Sequence, residues 1–322
     1  MIAALHDVQL PAGAQAQAIL GLWHWLLPIC TLVFVAVMVA LAFALWRAPR
    51  VTEDAAPDLS SLSAGEPRVA RVVWAAVAVS AMLLSALLAA SVFTDRAIAQ
   101  LPLANALHIE LTAYDWWWDA RYDDTDPSRI FSTANELHVP VGRPVIVSLA
   151  GGDVIHSFWV PSLHGKKDLI PGRPATVSFR ADRPGVYRGQ CAEFCGYQHA
   201  HMALYVVAET PDAYERWAAH QREPAASPAS AQQARGRDLF VRKSCALCHA
   251  INGTPAQARH APDLTHVASR LTLGAGTLEN TASERAAWIL DPQRFKPGTK
   301  MPAESLAPEE LAALNAYLGS LQ

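Results

Sequence analysis

Leu22–Trp46 and Val72–Phe93 contain no Asp, Glu, Lys or Arg, and these two runs of 25 and 22 residues limit what the chain can become. At a rise of about 1.5 Å per residue, each is long enough as a helix to cross a hydrocarbon layer of about 30 Å. A buried helix of a soluble core is usually shorter and keeps a polar face. Two membrane spans are therefore expected, at about 22–46 and 72–93. Trp23, Trp25 and Trp46 near the ends of the first run suit a headgroup boundary, and Pro28 one turn inside is tolerated near the start of a span. Residues 1–21 carry no Lys or Arg, unlike the basic start of a cleavable leader, so the first span is expected to be retained. Arg47 and Arg50 follow the first run, and Arg68 and Arg71 precede the second. The positive-inside rule then places their loop in the cytoplasm, and both termini with everything after about residue 94 outside. In a bacterium this describes a two-pass protein of the inner membrane with periplasmic domains.

A chain of 322 residues is too long for one compact domain. A net charge of −3, with 17% charged and 52% hydrophobic residues, argues against a disordered chain and against a nucleic-acid binder. Five cysteines are too few and too odd a number for a disulfide framework, so their positions carry the information. Beyond the second span the text changes to short apolar and β-branched runs broken by Gly and Pro. HIELTAY (108–114), ELHVP (136–140), PVIVSLA (144–150), PATVSFRA (174–181) and ALYVVAE (203–209) predict an antiparallel β-sandwich.

The chemistry of this part is concentrated in CAEFCGYQHAHM, residues 191–202. One loop can gather the thiols of Cys191 and Cys195, the imidazole of His199 and the thioether of Met202. Soft sulfur with imidazole selects copper or zinc, and a thioether favours copper, because structural zinc seldom uses Met. A further imidazole would complete the set, and His156 in GGDVIHSFWVP is the best placed. The competing readings are a Cys2His2 zinc site with His201 or His156, a Cys191–Cys195 disulfide, and Met202 as ordinary strand core. YDWWWDARYDD (114–124) sets three tryptophans in a row, and strand alternation predicts that at least one is exposed.

TPDAYERWAAHQ (210–221) reads as a helix, followed by an Ala, Pro and Ser-rich tether at about 223–232. Beyond it CALCH, residues 245–249, is the CxxCH pattern of covalent c-type haem attachment, with Cys245 and Cys248 taking the vinyl groups and His249 the iron. A thioredoxin-like redox pair would need a βαβ context that is missing. Of the five methionines, Met301 in KPGTKMPA is the one free to serve as the second axial ligand, with His260 and His266 as rivals. RGRDLFVRK, SERAAWILDP and PEELAALNAYLGSL show helical spacing. Leu311, Ala312, Leu314, Tyr317, Leu318 and Leu321 are expected to face the core of a small helical module.

Cys191, Glu193, Cys195, His199 and Met202 in CAEFCGxxHxxM, with His156 upstream, resemble the binuclear copper centre of cytochrome c oxidase subunit II. The order of hairpin, sandwich, tether and CxxCH module resembles the caa3-type form with a fused cytochrome c domain. The resemblance implies a tail and transmembrane hairpin at 1–98, a cupredoxin-like domain at 99–222, a linker at 223–232 and an all-α cytochrome c domain at 233–322. It implies copper A, two coppers bridged by Cys191 and Cys195, with His156 and His199 terminal, Met202 axial and Glu193 bound through its carbonyl. The Glu193 carboxylate would reach a magnesium at the border with subunit I. Trp116 resembles the residue through which electrons enter. KKDLIPGR (166–173) resembles the segment facing the catalytic subunit, with Asp168 and Arg173 as polar contacts. Pro262 resembles the proline whose carbonyl orients the proximal histidine. The implied partners are subunits I and III, an electron-donating cytochrome or upstream complex, and membrane lipid.

One departure concerns proton uptake. The family usually has a Glu three residues before a Trp at the start of the second span, where this chain has Arg71 before Trp74, and Glu66 is the nearest carboxylate. The implied function is electron relay to a subunit that reduces O2 to water. The alternatives are the same relay in a nitric oxide reductase, to which Arg71 adds weight, and a membrane-anchored carrier without catalytic partner.

Overall fold

The computed structural model describes residues 5–48 and 66–322; the loop between the two spans, with Arg50, lies outside the described residues. The chain divides into two compact units, one comprising residues up to Gln17 together with Leu101–Gln322, the other Ala18–Gln100.

The smaller unit is helical. Helix α1 runs Ala14–Arg47 and α2 runs Pro67–Ala99, with mean hydropathy of 2.8 and 2.3 over their most apolar 18 residues. Their apolar side chains face outward, which suits a hydrocarbon solvent better than water. Pro67 opens α2, where its missing N–H is no loss and its fixed φ helps. Arg71 donates through Nε to the Pro67 carbonyl at 3.2 Å.

In the larger unit, ten strands form two stacked five-stranded sheets. One holds β1 (Leu107–Tyr114), β2 (Trp117–Asp123), β3 (Phe131–Ala134), β5 (Val145–Gly151) and β8 (Ala175–Phe179), in the order β3-β2-β1-β5-β8 once β4 (Glu136–Pro140) is assigned to the other. The second sheet adds β6 (His156–Trp159), β7 (Lys167–Leu169), β9 (Gly185–Cys191) and β10 (Ala203–Glu209), in the order β4-β10-β9-β6-β7. Pairing is mostly antiparallel, with one parallel pair in each sheet, β1 with β5 and β4 with β10. Alternating residues such as Leu107, Ile109, Leu111 and Ala113 turn inward, and Trp118, Phe158, Phe179 and Tyr187 fill the space between sheets.

The segment before α1 lies along this sandwich. Leu5 bridges to Tyr187, Ala12 N donates to Ser162 O at 2.7 Å, and a Cβ at Gly13 would sit 2.6 Å from Arg180 O, so glycine is required there. Helix α3 (Pro211–Gln221) follows β10 and buries Tyr214 and Ala218, while its Trp217 stacks on His138 at 4.1 Å.

The C-terminal module is built from α4 (Ala231–Arg242), α5 (Ala282–Leu290), α6 (Pro292–Phe295) and α7 (Pro308–Leu318), with a short hairpin of β11 (Thr272–Leu273) and β12 (Leu278–Glu279). Ser230 and Thr281 cap α4 and α5 by accepting from the N–H groups of Gln233 and Glu284. Helices α4 and α7 touch at Gly236, where a Cβ would lie 2.1 Å from Ala313 O. The buried face of α7 is Ala313, Leu314, Tyr317 and Leu318, whereas Ala312, expected inside, is exposed. Leu314, Tyr317, Leu318 and Leu321 are buried as expected, and Ala313, facing Gly236, takes the inward place expected of Ala312.

Residues 223–230 have no helix or strand, as a tether should, yet they are held. Ala225 N donates to Asn252 O at 3.0 Å, and Glu223 O accepts from His266. These two backbone bonds to the module it leads into restrain the start of the stretch more than its composition suggests.

Candidate metal centre and haem-attachment site

The 191–202 loop joins β9 to β10, and its mouth is closed by Cys191 N donating to Met202 O at 2.9 Å. Beside it, β6 pairs with β9 so that Phe158 lies opposite Cys191, which places His156 at the same end of the sheet. The donors converge. Cys191 Sγ lies 3.7 Å from Cys195 Sγ, 3.8 Å from His156 Nδ1 and 3.2 Å from the Glu193 carbonyl. Cys195 Sγ lies 3.5 Å from His199 Nδ1 and 3.8 Å from Met202 Sδ. His156, Cys191, Cys195 and Met202 are buried and His199 half-buried.

This geometry discriminates between the competing readings. A sulfur separation of 3.7 Å is far from the roughly 2.05 Å of a disulfide. His201 is drawn aside, its Nδ1 on Gln198 Oε1 at 2.9 Å, and it does not join the cluster. The set of two thiols, two imidazoles, a thioether and a carbonyl exceeds the four positions of structural zinc and is the donor chemistry that suits copper.

Electrostatics point the same way. The hydrogen bond between the two thiols holds Cys191 well below the usual thiol range, while that bond and burial push Cys195 up. A thiol so lowered is readily available as the thiolate that a soft cation binds. Burial opposes a proton on His156, but hydrogen bonds to Cys191 and Asp153 outweigh it and raise its value. Asp153 Oδ1 sits 2.9 Å from His156 Nε2, fixing the ring so that Nδ1 faces the sulfurs.

The expectation of an exposed tryptophan fails. Trp118 is buried in the sandwich, Trp117 is half-buried and stacked on Tyr114 at 5.1 Å, and Trp116 is only 7% exposed. The reason at Trp116 is the C-terminal module, which covers it. The indole N–H donates to Cys195 O at 2.7 Å. Gly196 and Gly298 lie against its ring, both at positive φ, and a Cβ on either would stand 3.1 and 3.5 Å from it.

In that module, Cys245, Cys248 and His249 sit on one tight turn, with His249 N bonded to Cys245 O at 3.0 Å. His249 Nδ1 donates to Pro262 O at 2.7 Å, so that in the neutral ring Nε2 carries the lone pair, and burial pushes the ring's pKa below its usual value. Met301 is half-buried on a loop stapled by Gln293, whose amide bonds Thr299 O at 2.7 Å, Met301 O at 3.0 Å and Gly298 N at 2.8 Å. His266 has both ring nitrogens engaged, on Gln322 O at 2.6 Å and Glu223 O at 3.2 Å, and is committed to the scaffold. His260 is exposed.

Several residues here escaped the sequence reading. Gln293 and Asp153 carry no motif of their own, and their roles come from contacts. Phe194 and Tyr197 stand 79% and 93% exposed on the tip of the 191–202 loop, a placement that alternation could not give for irregular backbone. Beside them the Glu193 carboxylate pairs with Lys166, which also bonds Asp168 at 3.1 Å, and Asp168 accepts from Ser157. Arg173 is exposed.

Comparison with known proteins identifies two domains. The family model for the periplasmic domain of cytochrome c oxidase subunit II matches residues 120–209, and that for cytochrome c matches 233–322. Cytochrome c oxidase subunit 2 of Alkalihalophilus pseudofirmus is 38% identical over 219 residues, covering 68% of this chain and 62% of the relative. That of Bacillus sp. strain PS3 is 31% identical over 229 residues, covering 68% and 63%. The chain thus spans somewhat under two thirds of these relatives' length. The solved periplasmic domain of subunit II of cytochrome oxidase of Bradyrhizobium japonicum is 30% identical, covering 38% of this chain and 97% of that one, with a TM-score of 0.35.

Proposed function

The chain belongs to the cytochrome c oxidase subunit II family, in the form that carries a cytochrome c domain, and from that premise we propose that it is the subunit through which electrons enter a membrane terminal oxidase. The observation that carries this reading is the meeting of Cys191, Cys195, His156, His199, Met202 and the Glu193 carbonyl around two sulfurs 3.7 Å apart. These residues would hold copper A. Cys245 and Cys248 would bind haem c covalently, with His249 and Met301 as its axial ligands. When bound, the two groups supply one-electron chemistry, taking electrons from a donor cytochrome or upstream complex and passing them to the catalytic subunit that reduces O2 to water.

The chain's own residues hold that chemistry rigid. Asp153 orients His156, Pro262 orients His249, and Gln293 fixes the loop of Met301. Burial of the sulfurs excludes water, and a donor set filled by side chains leaves no position for substrate. The exposed tip with Phe194, Tyr197 and the Lys166–Glu193 pair supports contact with subunit I. A magnesium there would take the Glu193 carboxylate from Lys166. Subunit III and surrounding lipid complete the proposed assembly. The two helices anchor it in the bacterial inner membrane with the metal domains on the periplasmic side.

Purification in mild detergent, followed by metal and haem analysis and oxygen uptake, tests the reading. Two coppers per haem c, with a polytopic haem-bearing partner and O2 consumption, are expected. Zinc, one copper, or a chain that purifies alone would overturn it, and consumption of nitric oxide in place of O2 would reassign the acceptor.

A further inference from the structure

The face of Trp116 is closed by a single loop of the C-terminal module, Lys296–Met301, and the residue at its root is unusual. Lys296 is 2% exposed, and among the described residues its amine makes hydrogen bonds to backbone carbonyls. Its Nζ donates to Trp116 O at 2.6 Å, on the sandwich, and to Gly274 O at 2.9 Å, on its own module. Burying an amine costs free energy unless its N–H groups are satisfied, and here one of the two acceptors belongs to the other module. Around it the contact continues with Gln198 Nε2 on Pro297 O at 2.8 Å, Ala203 N on Ala275 O at 2.9 Å, and Leu271 N on Glu136 Oε2 at 2.9 Å. At the rim Lys300 Nζ lies 3.5 Å from Asp153 Oδ2.

We propose that Lys296 latches the haem-binding module onto the copper-binding module over Trp116 and so sets how the two modules dock. Separation of the modules would expose both the Trp116 carbonyl and the amine to water, so the chemical reactivity of Lys296 reports docking directly. The adjacent Lys300, whose side chain is 73% exposed, serves as an internal reference.

Amine acylation of the detergent-purified, fully loaded complex, read by peptide mass spectrometry, tests the latch. Lys300 should label at least about tenfold faster than Lys296, since reaction at a buried amine waits for local opening. Equal labelling overturns the proposal without any variant having to fold. In a Lys296→Met complex, hydrogen exchange at the Ala203 and Leu271 amides should accelerate roughly tenfold, as expected for losing a satisfied buried hydrogen bond; unchanged exchange overturns it too. Loss of copper from the metal analysis, with Lys296 still protected, would retire the functional reading and leave the latch standing.

Discussion

The two sulfurs of the 191–202 loop differ in their neighbours, which makes single substitutions informative. Cys191→Ser should abolish the near-infrared copper absorption while leaving the haem c spectrum intact, because His249 and its turn draw nothing from that loop. Survival of the copper band would refute the bridging role. Met301→Leu should open the haem iron to added CO, and failure to bind would return the exposed His260 to consideration. His138 offers a pH test away from any ligand. Burial disfavours its charged form, yet hydrogen bonds to Glu136 at 2.9 Å and Glu209 at 3.0 Å outweigh this and raise its value above the usual 6.5. A raised base contributes stability fully present below its unfolded value and lost as pH rises through the folded one. The melting temperature of the wild type relative to His138→Gln should therefore fall as pH climbs through and above neutrality; a constant difference would show that the ring is not charged.

Among the elements, the strands and the convergence of donors in the 191–202 loop were legible because they are local. HIELTAY, PVIVSLA and ALYVVAE alternate as strands must, and β1, β5 and β10 lie on them. The proposed donors of the loop lie within twelve consecutive residues, and a short loop cannot separate them far. What stayed hidden depends on partners distant in sequence. Residues 5–13 show no strand period, yet they follow the sandwich through backbone bonds that any side chains allow. Lys296 and Trp116 are 180 positions apart, and nothing near either announces the other. The exposed tryptophan and the inward Ala312 failed for this reason, since both assumed an element seen alone. Packing between α4 and α7 gives a test at this scale. Gly236→Val would drive side-chain atoms into Ala313 O and Tyr317, costing about 3 kcal/mol, so chemical denaturation should unfold the haem module earlier while the copper band persists.

Taken whole, the extramembrane part behaves as one body more than as beads on a string. A free tether would bring the modules together by effective concentration, which falls as the linker lengthens. With residues 223–225 held and the interface closed by hydrogen bonds, inserting Gly-Ser repeats between Ser227 and Ala229 should leave flash-initiated haem-to-copper transfer unchanged. A rate that drops with each repeat would show that the modules meet only by diffusion. Across the interface the Trp116 ring meets Gly298, which sits at a φ of +87° and whose missing side chain lets the covering loop rest in plain contact with the indole. Electron tunnelling weakens steeply with every added fraction of an ångström. On the relay proposed above, a residue forced into that left-handed position would have to move the loop, and transfer between the modules would slow although every proposed donor atom stayed in place.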